Sequence, residues 1–304
     1  MYYLKRFALM FPVLLIISFL TFTLLRLVPG GPFDTTRAPA SEEIRQMQLA
    51  KYHLDEPFVV QYGYYARDLL RGDLGPSTQY RDHSVNDIIA GALPVSLMLG
   101  LMAFCFAQGV GLPLGFYTAV KRGQWGDYIG SFIALLCFCI PSLIVGPILI
   151  MVFALKLGWL PAGLWGGLSH AILPMAALGL YYSGRIARLF REGMTEVLQQ
   201  PFITAARAKG MSEMRLLWKH AFRLAVLPVV SYSGPMLADV LTGSFVVESA
   251  FGLPGIGIFV ITSVENRDYA MTTGLTLLYA VLLLGLNMLV DFAYTLLDPR
   301  VKYE

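Results

Sequence analysis

Six long apolar segments, separated by polar ones, run along this chain of 304 residues. Each is close to the length of about 20 residues that a helix needs to cross a bilayer. The fourth has the weakest pattern, because Arg185 and Arg188 enter its end. The pattern predicts an all-α membrane protein whose six transmembrane helices occupy residues 7–28, 94–119, 128–155, 171–190, 226–247 and 274–296.

The composition agrees with a membrane protein. Hydrophobic residues make up 56% of the chain and charged residues 14%, whereas soluble proteins contain about 25% charged residues. The first apolar segment is too long for a cleaved signal peptide, so we expect it to stay as the first helix. The net charge of +3 does not indicate nucleic-acid binding. Cys105, Cys137 and Cys139 lie in apolar segments, where a packed thiol is the ordinary role.

The basic residues predict the orientation of the chain. Eight of the 23 Lys and Arg residues lie between Arg185 and Arg223. Short loops rich in Lys and Arg stay on the cytoplasmic side of a membrane. The same orientation also places Lys121, Arg122 and both ends of the chain inside. We therefore expect a multi-pass protein with both termini in the cytoplasm.

The predicted organisation has four parts. They are a first transmembrane helix (1–28), an extracytoplasmic helical cap (29–93), a transmembrane core (94–296) with a cytoplasmic coupling loop (191–225), and a cytoplasmic tail (297–304). Within the cap, helices are expected to begin at Ser41 and Pro57, and Ser84 is expected to cap a short helix that leads to Pro94. The cap is either a lid on the helix ends or a landing surface for an external partner, and both alternatives stay open.

Prolines and ionisable residues mark a candidate pathway through the membrane. Four prolines fall inside the apolar segments: Pro113, Pro141, Pro147 and Pro235. Each removes a backbone donor and loosens a helix. An ionisable residue at membrane depth is a functional candidate, although a carboxylate can also be paired inside a bundle. The pathway or gate candidates are Tyr232, Pro235, Asp239 and Glu248.

Three further positions carry separate expectations. The run of Gly and Pro that follows Ala250 cannot continue a membrane helix, so it should be buried in protein or line a cavity. Asp291 is expected to be paired inside the bundle. Arg26 is expected to extend toward the membrane surface from the end of the first helix.

No motif for catalysis or nucleotide binding is present in the sequence. It contains no Gly-Lys-Ser or Gly-Lys-Thr of a P-loop, no G-x-S-x-G and no H-E-x-x-H. The four histidines are scattered and form no pair at ligand spacing. We therefore predict no catalytic, cofactor-binding or metal-binding residue, and no enzymatic activity in this chain.

The basic segment resembles the EAA loop of ABC-importer membrane subunits. The matching positions are Thr204-Ala-Ala-Arg-Ala-Lys-Gly210, His220-Ala221, Arg223, Ala225 and Leu227-Pro228. Thr204 stands where many members of the family have Glu, and this departure is usual in the peptide-importer branch.

Other segments resemble the same family. Arg26-Leu-Val-Pro-Gly-Gly-Pro32, Phe251-Gly-Leu-Pro-Gly-Ile-Gly257 and Asp298-Pro-Arg300 match its pattern. An outer-domain signature comprises Gln61, Tyr62, Gly72, Asp73, Leu74, Gly75 and Ser77. The resemblance covers nearly the whole chain and is closest to the B-type permeases of oligopeptide importers.

The resemblance implies a type I importer permease fold in a bacterial cytoplasmic (inner) membrane, with a small helical extracytoplasmic insertion after the first helix. It implies four partners: a second homologous permease, two cytoplasmic ATPases that bind ATP and Mg²⁺, and an extracytoplasmic peptide-binding protein. It also implies a coupling helix that docks onto one ATPase, mainly through Ala205, Ala206 and Gly210. The residues of this coupling segment are Thr204, Ala205, Ala206, Arg207, Ala208, Lys209, Gly210, Met211 and Ser212.

The sequence leaves several alternatives open. The cargo could be dipeptides, haem, metal chelates or sugar oligomers instead of oligopeptides. A secondary transporter would need inverted repeats and ion ligands at the membrane midplane, and the sequence shows no clear repeat. A membrane-embedded hydrolase would need a nucleophile with a base, or a metal pair, and neither is evident.

Overall fold

The computed structural model describes residues 2–27, 55–80 and 83–297. Within these ranges the chain is helical and contains no strand; an isolated antiparallel bridge joins Pro76 and Ser84. The predicted helix at Ser41 and the tail with Asp298-Pro-Arg300 lie outside the described residues. The side chain of Asp291 is also outside them.

The helices differ widely in length. They are α1 (Tyr2–Leu27), α2 (Phe58–Leu70), α3 (Val85–Val120), α4 (Trp125–Cys139), α5 (Ser142–Leu149), α6 (Leu168–Leu198), α7 (Pro201–Ala208), α8 (Glu213–Arg215), α9 (Phe222–Ala225), α10 (Leu227–Gly243), α11 (Phe245–Phe251), α12 (Ile256–Glu265) and α13 (Tyr269–Leu297). Two π-helical segments, Ile150–Lys156 and Leu216–Ala221, follow α5 and α8. The predicted all-α membrane fold is confirmed.

In the part of the chain that the structure describes, three stretches of helix are long and apolar enough to cross a membrane: Arg6–Leu27, Val85–Val120 and Tyr269–Leu289. Three bent pairs raise the number among the described residues to six, if each pair is one span. In one pair, α4 and the segment Ser142–Lys156 meet at 102°. The bend falls at Pro141, whose missing N–H and fixed φ interrupt a helix.

The predicted short helix that ends at Pro94 is wrong, because α3 continues through this proline to Val120. A helix of 36 residues is about 54 Å long at 1.5 Å per residue. It therefore exceeds the hydrocarbon core of about 30 Å. Its start is capped as predicted. The Ser84 hydroxyl accepts the backbone N–H of Asp87 at 3.1 Å and donates to the Asp87 carboxylate at 2.6 Å, which satisfies groups that a helix start leaves open.

The chain divides into two compact units. One comprises Met1–Pro94 and Gly255–Leu284, and its core contains Val85, Ile89, Ile256, Met271 and Leu275. The other comprises Val95–Pro254 and Gly285–Glu304.

In the second unit one face of α6 packs against its neighbours, with Ile186, Phe190 and Met194 fully buried. The opposite face is exposed and carries charged residues, among them Arg188 and Glu192. Helix α3 approaches α6 closely at Gly111 and Gly115, spaced as in a G-x-x-x-G pair. A Cβ on Gly115 would lie 2.5 Å from the Ala187 carbonyl oxygen. Small residues of this kind let membrane helices pack backbone to backbone.

Candidate functional site

The predicted coupling segment forms a short helix anchored on the second unit. Pro201 occupies the first turn of α7, where its missing N–H costs nothing. Ile203 is fully buried, while Ala206 and Met211 are half-buried against the same core. Thr204, Ala205 and Ala208 are exposed. The helix thus has an inner face that attaches it to the permease and an outer face of small side chains.

Gly210 ends this helix in a left-handed conformation, with φ +77°. Its N–H donates to the Arg207 carbonyl at 2.9 Å, and the Met211 N–H donates to the Ala206 carbonyl at 3.2 Å. These two bonds form a Schellman motif, which favours glycine at the left-handed position. A Cβ here would meet no neighbour within 4 Å. Backbone conformation therefore accounts for the glycine within this chain.

Arg207 folds back across this turn onto Glu213. Its Nε and Nη2 donate to the two carboxylate oxygens at 2.7 and 3.2 Å. The hydrogen bond to Glu213 raises the pKa of Arg207. Both side chains are exposed, so this pair adds little stability, but it fixes where the positive charge lies. Lys209 and Ser212 are exposed beside it.

Close contacts join the coupling loop to α6. A Cβ on Gly193 would lie 2.7 Å from the Ala225 carbonyl oxygen, so α6 and α9 touch through their backbones. The rings of Phe190 and Phe222 lie 5.0 Å apart at this crossing. On the other side of α6, Arg191 binds Asp127 of α4 through two hydrogen bonds. This pair was not predicted from the sequence, although a carboxylate at the start of an apolar segment is a usable signal.

Two of the pathway candidates lie on one face of α10 and contact α6. The Tyr182 hydroxyl donates to the Asp239 carboxylate at 2.8 Å. The Arg185 guanidinium carbon lies 4.4 Å from the centre of the Tyr232 ring. Pro235 lies between them on α10 and is exposed. Sequence reasoning missed Tyr182, because a tyrosine in an apolar segment gives no sign of a distant partner.

Glu248 belongs to a different helix, α11, and is fully buried. Its carboxylate accepts a hydrogen bond from the Ser244 hydroxyl at 2.5 Å. The next backbone reversal is at Gly252, with φ +62°, and Phe251 and Leu253 on either side are buried. The described contacts do not bring Glu248 together with the other candidates, and its pathway role stays a prediction.

The first part of the outer-domain signature joins α2 to α1. Gln61 accepts a hydrogen bond from Arg26 Nε at 2.8 Å, and the Tyr62 and Ser18 hydroxyls lie 3.0 Å apart. The Arg26 guanidinium also stacks 3.4 Å from the centre of the Phe22 ring. These contacts hold the Arg26 side chain within the unit, and its extension toward the membrane surface stays a prediction.

The second part of the signature is a tight turn on the start of α13. The Asn86 side chain accepts from Leu74 N–H at 2.9 Å and donates to the Gly72 carbonyl at 2.7 Å. Asp73 accepts from Gly75 N–H at 2.9 Å. The Ser77 hydroxyl donates to the buried carboxylate of Asp268, which also caps α13 by accepting the Met271 N–H at 3.1 Å. These signature residues make structural contacts.

The described residues contain no group of three or more His, Cys, Asp or Glu side chains that could hold a metal ion. The arrangement contains a short helix with an exposed outer face, a backbone contact between α9 and α6, and polar contacts between α6 and α10. Such parts are suited to transmitting motion.

Comparisons with known proteins match this chain over most of its length. A family model described as "Binding-protein-dependent transport system inner membrane component" matches residues 111–303. The oligopeptide transport system permease protein OppB of Haemophilus influenzae is 44% identical over 301 residues, 98% of each chain. OppB of Salmonella typhimurium is 43% identical over 294 residues, 96% of each chain. The dipeptide transport system permease protein DppB of Bacillus subtilis is 41% identical over 301 residues, 99% of this chain and 97% of its own.

A solved structure shares the fold. It is an inward-facing form of the MetNI methionine ABC transporter, with a TM-score of 0.59 and 20% sequence identity, and the match covers 69% of this chain and 96% of that chain.

Proposed function

Because this chain belongs to the family of binding-protein-dependent transport system inner membrane components, we propose that it is the permease subunit of an ATP-driven peptide importer. It forms half of the translocation pathway and carries no ATPase activity of its own. The observation that carries the proposal is an exposed coupling helix anchored by the buried Ile203 in the same core as α6, in a chain 44% identical to an oligopeptide permease over nearly its full length.

The coupling helix passes the ATP-driven motion of the ATPase subunits to the permease. ATP and Mg²⁺ bind to two cytoplasmic ATPase subunits, and one of them receives the outer face of α7, with Thr204, Ala205 and Ala208. The buried Ile203 and the Schellman turn at Gly210 keep the helix from rotating or unwinding under load. Closure of the ATPases then moves α7 as a rigid body, and the core that Ile203 shares with Phe190 and Met194 passes this motion to α6.

The proposed assembly contains this chain, a second homologous permease, two ATPases and an extracytoplasmic peptide-binding protein. Both termini and the coupling loop face the cytoplasm of a bacterial inner membrane. The basic residues between Arg185 and Arg223 support this orientation. The cap between the first two apolar segments then lies on the outer surface, where the binding protein delivers its cargo.

Oligopeptides are the proposed cargo, since relatives named as oligopeptide permeases are 43–44% identical to this chain. Dipeptides are a second candidate, favoured by the 41% identity to a dipeptide permease. The two candidate cargoes, oligopeptides and dipeptides, differ in length only, and both carry a free amino and a free carboxyl terminus.

Purification from native membranes tests the assembly. We expect two ATPases and a second permease to copurify, and the complex in vesicles to take up oligopeptides only with ATP and the binding protein. Peptide uptake without ATPase subunits would contradict the proposal and favour a secondary transporter.

The variant Gly210→Glu tests the coupling role. It should insert and assemble normally, while ATP hydrolysis continues without peptide uptake. The matched control is Gly123→Glu, at another left-handed glycine, with φ +76° and an open Cβ position. A Gly210→Glu complex with normal uptake would exclude this loop as the coupling element.

A further inference from the structure

We propose that the contact between α6 and α10 recognises the two charged ends of the peptide as it crosses the membrane. We call this contact the α6–α10 seam, and it consists of Tyr182, Arg185, Tyr232 and Asp239. The inference rests on the proposed function, because it assigns peptide-contacting groups to the pathway of that importer.

The first observation is exposure. Arg185 and Asp239 are exposed in this chain, although they lie well inside helices of 31 and 17 residues. Charged side chains at membrane depth do not face lipid; they face protein or a water-filled cavity. Asp239 lies inside the fifth apolar segment and Arg185 at the inner end of the fourth, so the exposed side of the seam faces the cytoplasmic half of the pathway, where the second permease completes the wall.

The second observation is the arrangement of charge along the seam. Arg185 lies against Tyr232 and the Asp239 carboxylate lies against Tyr182, so the two charges occupy different levels along the helix axes. Tyr182 and Arg185 are three positions apart on α6, whereas Tyr232 and Asp239 are seven positions apart on α10. At 1.5 Å per residue, the two contacts therefore differ in level by about 4.5 to 10.5 Å. An extended peptide advances about 3.3–3.6 Å per residue. The seam thus matches the spacing of opposite charges on a short peptide.

The chemistry of each end is specific. A guanidinium that lies against an aromatic ring has further N–H groups, which can donate to a carboxylate as paired donors. The Tyr182 hydroxyl donates a hydrogen bond to Asp239 and orients its carboxylate, which can accept from an ammonium group on its exposed side. Every peptide with free ends carries both groups whatever its side chains. A seam that binds them therefore serves cargo of varied sequence.

The third observation is space at the cationic end. A cavity of about 250 Å³ is lined by Phe138, Arg185, Arg188, Leu189 and Glu192. The other guanidinium that lines this cavity belongs to Arg188 and lies 3.8 Å from the Glu192 carboxylate. This cavity provides room for the C-terminal residue next to the guanidinium of Arg185.

The test uses the complete transporter in lipid vesicles and three probes: trialanine, its C-terminal amide and its N-acetyl form. Each is supplied at a concentration that saturates the external binding protein. Arg185→Gln should lower trialanine uptake about tenfold, the loss of one charge contact worth about 1.4 kcal/mol, and leave uptake of the amide unchanged. Asp239→Asn should lower trialanine uptake similarly and leave the N-acetyl form unchanged. Arg185→Lys should retain part of the trialanine uptake that Arg185→Gln loses. Lys156→Gln, which removes another exposed cation, should change the uptake of neither trialanine nor the capped peptides.

Photocrosslinking provides a readout that does not depend on uptake. Trialanine analogues with a diazirine side chain at the first or third residue should label α10 near Asp239 and near Tyr232, respectively. Equal losses for free and capped peptides, or labels away from the seam, would overturn the inference and leave the importer proposal intact. Absence of ATP-dependent uptake by the unmodified complex would overturn both.

Discussion

The guanidinium of Arg191 in α6 donates two hydrogen bonds to the carboxylate of Asp127 in α4, Nε to Oδ1 at 2.7 Å and Nη2 to Oδ2 at 2.8 Å. Asp127 is only 3% exposed and also accepts from the Gly123 N–H and the Ser131 hydroxyl. Two helices from different parts of the chain are thereby fixed to each other beside the coupling loop. The contact is a two-point attachment, which restrains rotation as well as separation.

Arg191→Met should lower the free energy of unfolding by about 2 kcal/mol. Removal of one partner of a buried pair costs about 3–5 kcal/mol, and the partial exposure of Arg191 reduces this figure. The control is Arg188→Met, one turn earlier, whose exposed partner Glu192 lies 3.8 Å away and whose loss should cost less than about 1 kcal/mol. Thermal unfolding in detergent measures both, and equal effects would contradict a special role for the Asp127 contact.

Gly210→Ala should destabilise the coupling helix by about 1–2 kcal/mol, the cost of a left-handed conformation for a residue with a Cβ. The matched variant is Gly210→Asn, because asparagine tolerates this conformation better than alanine does. We expect the number of peptides imported per ATP hydrolysed to fall in the order Gly, Asn, Ala. If alanine were equal to glycine, the Schellman turn would not matter for coupling.

Gly115→Ala should lower the unfolding free energy by about 1–3 kcal/mol, the usual cost of overpacking. The new methyl group would lie 2.5 Å from the backbone oxygen of Ala187, so α3 and α6 would have to separate. Gly109→Ala is the control in the same helix, since its Cβ would meet nothing within 4 Å. It should be neutral or stabilising by up to about 1 kcal/mol. The same unfolding loss in both variants would show that helix packing is not the cause.

Asp268→Ala should destabilise the first unit by about 2 kcal/mol or more. Loss of an N-cap alone costs about 0.5–2 kcal/mol, and the buried Ser77 hydroxyl would lose its acceptor as well. The nearby control is Glu265→Ala, because Glu265 is exposed at the end of α12. Hydrogen exchange of the α13 amides should increase only in the Asp268 variant. Unchanged protection there would show that the signature turn does not hold the start of α13.

The apolar pattern was sufficient to predict the helical class, because a span must satisfy its own backbone hydrogen bonds in lipid and only a long apolar helix does so. The sequence also predicted that the run after Ala250 interrupts a helix, and the reversal at Gly252 lies in this run. At Pro141 the sequence predicted only a loosened helix within the segment 128–155, whereas the structure bends there by 102°. The prediction failed at Pro94, since a single missing N–H is tolerated in a helix whose other bonds and contacts persist.

By itself the sequence determined the membrane class, the basic loop and the family resemblance, because each depends on residue types at short separations along the chain. Only the tertiary structure decided that Asp127 binds Arg191, that Tyr182 binds Asp239 and that Asp268 receives Ser77. These partners are 57 to 191 residues apart. No local pattern selects such a pair, since helix packing brings the two side chains within the few ångströms over which a hydrogen bond acts.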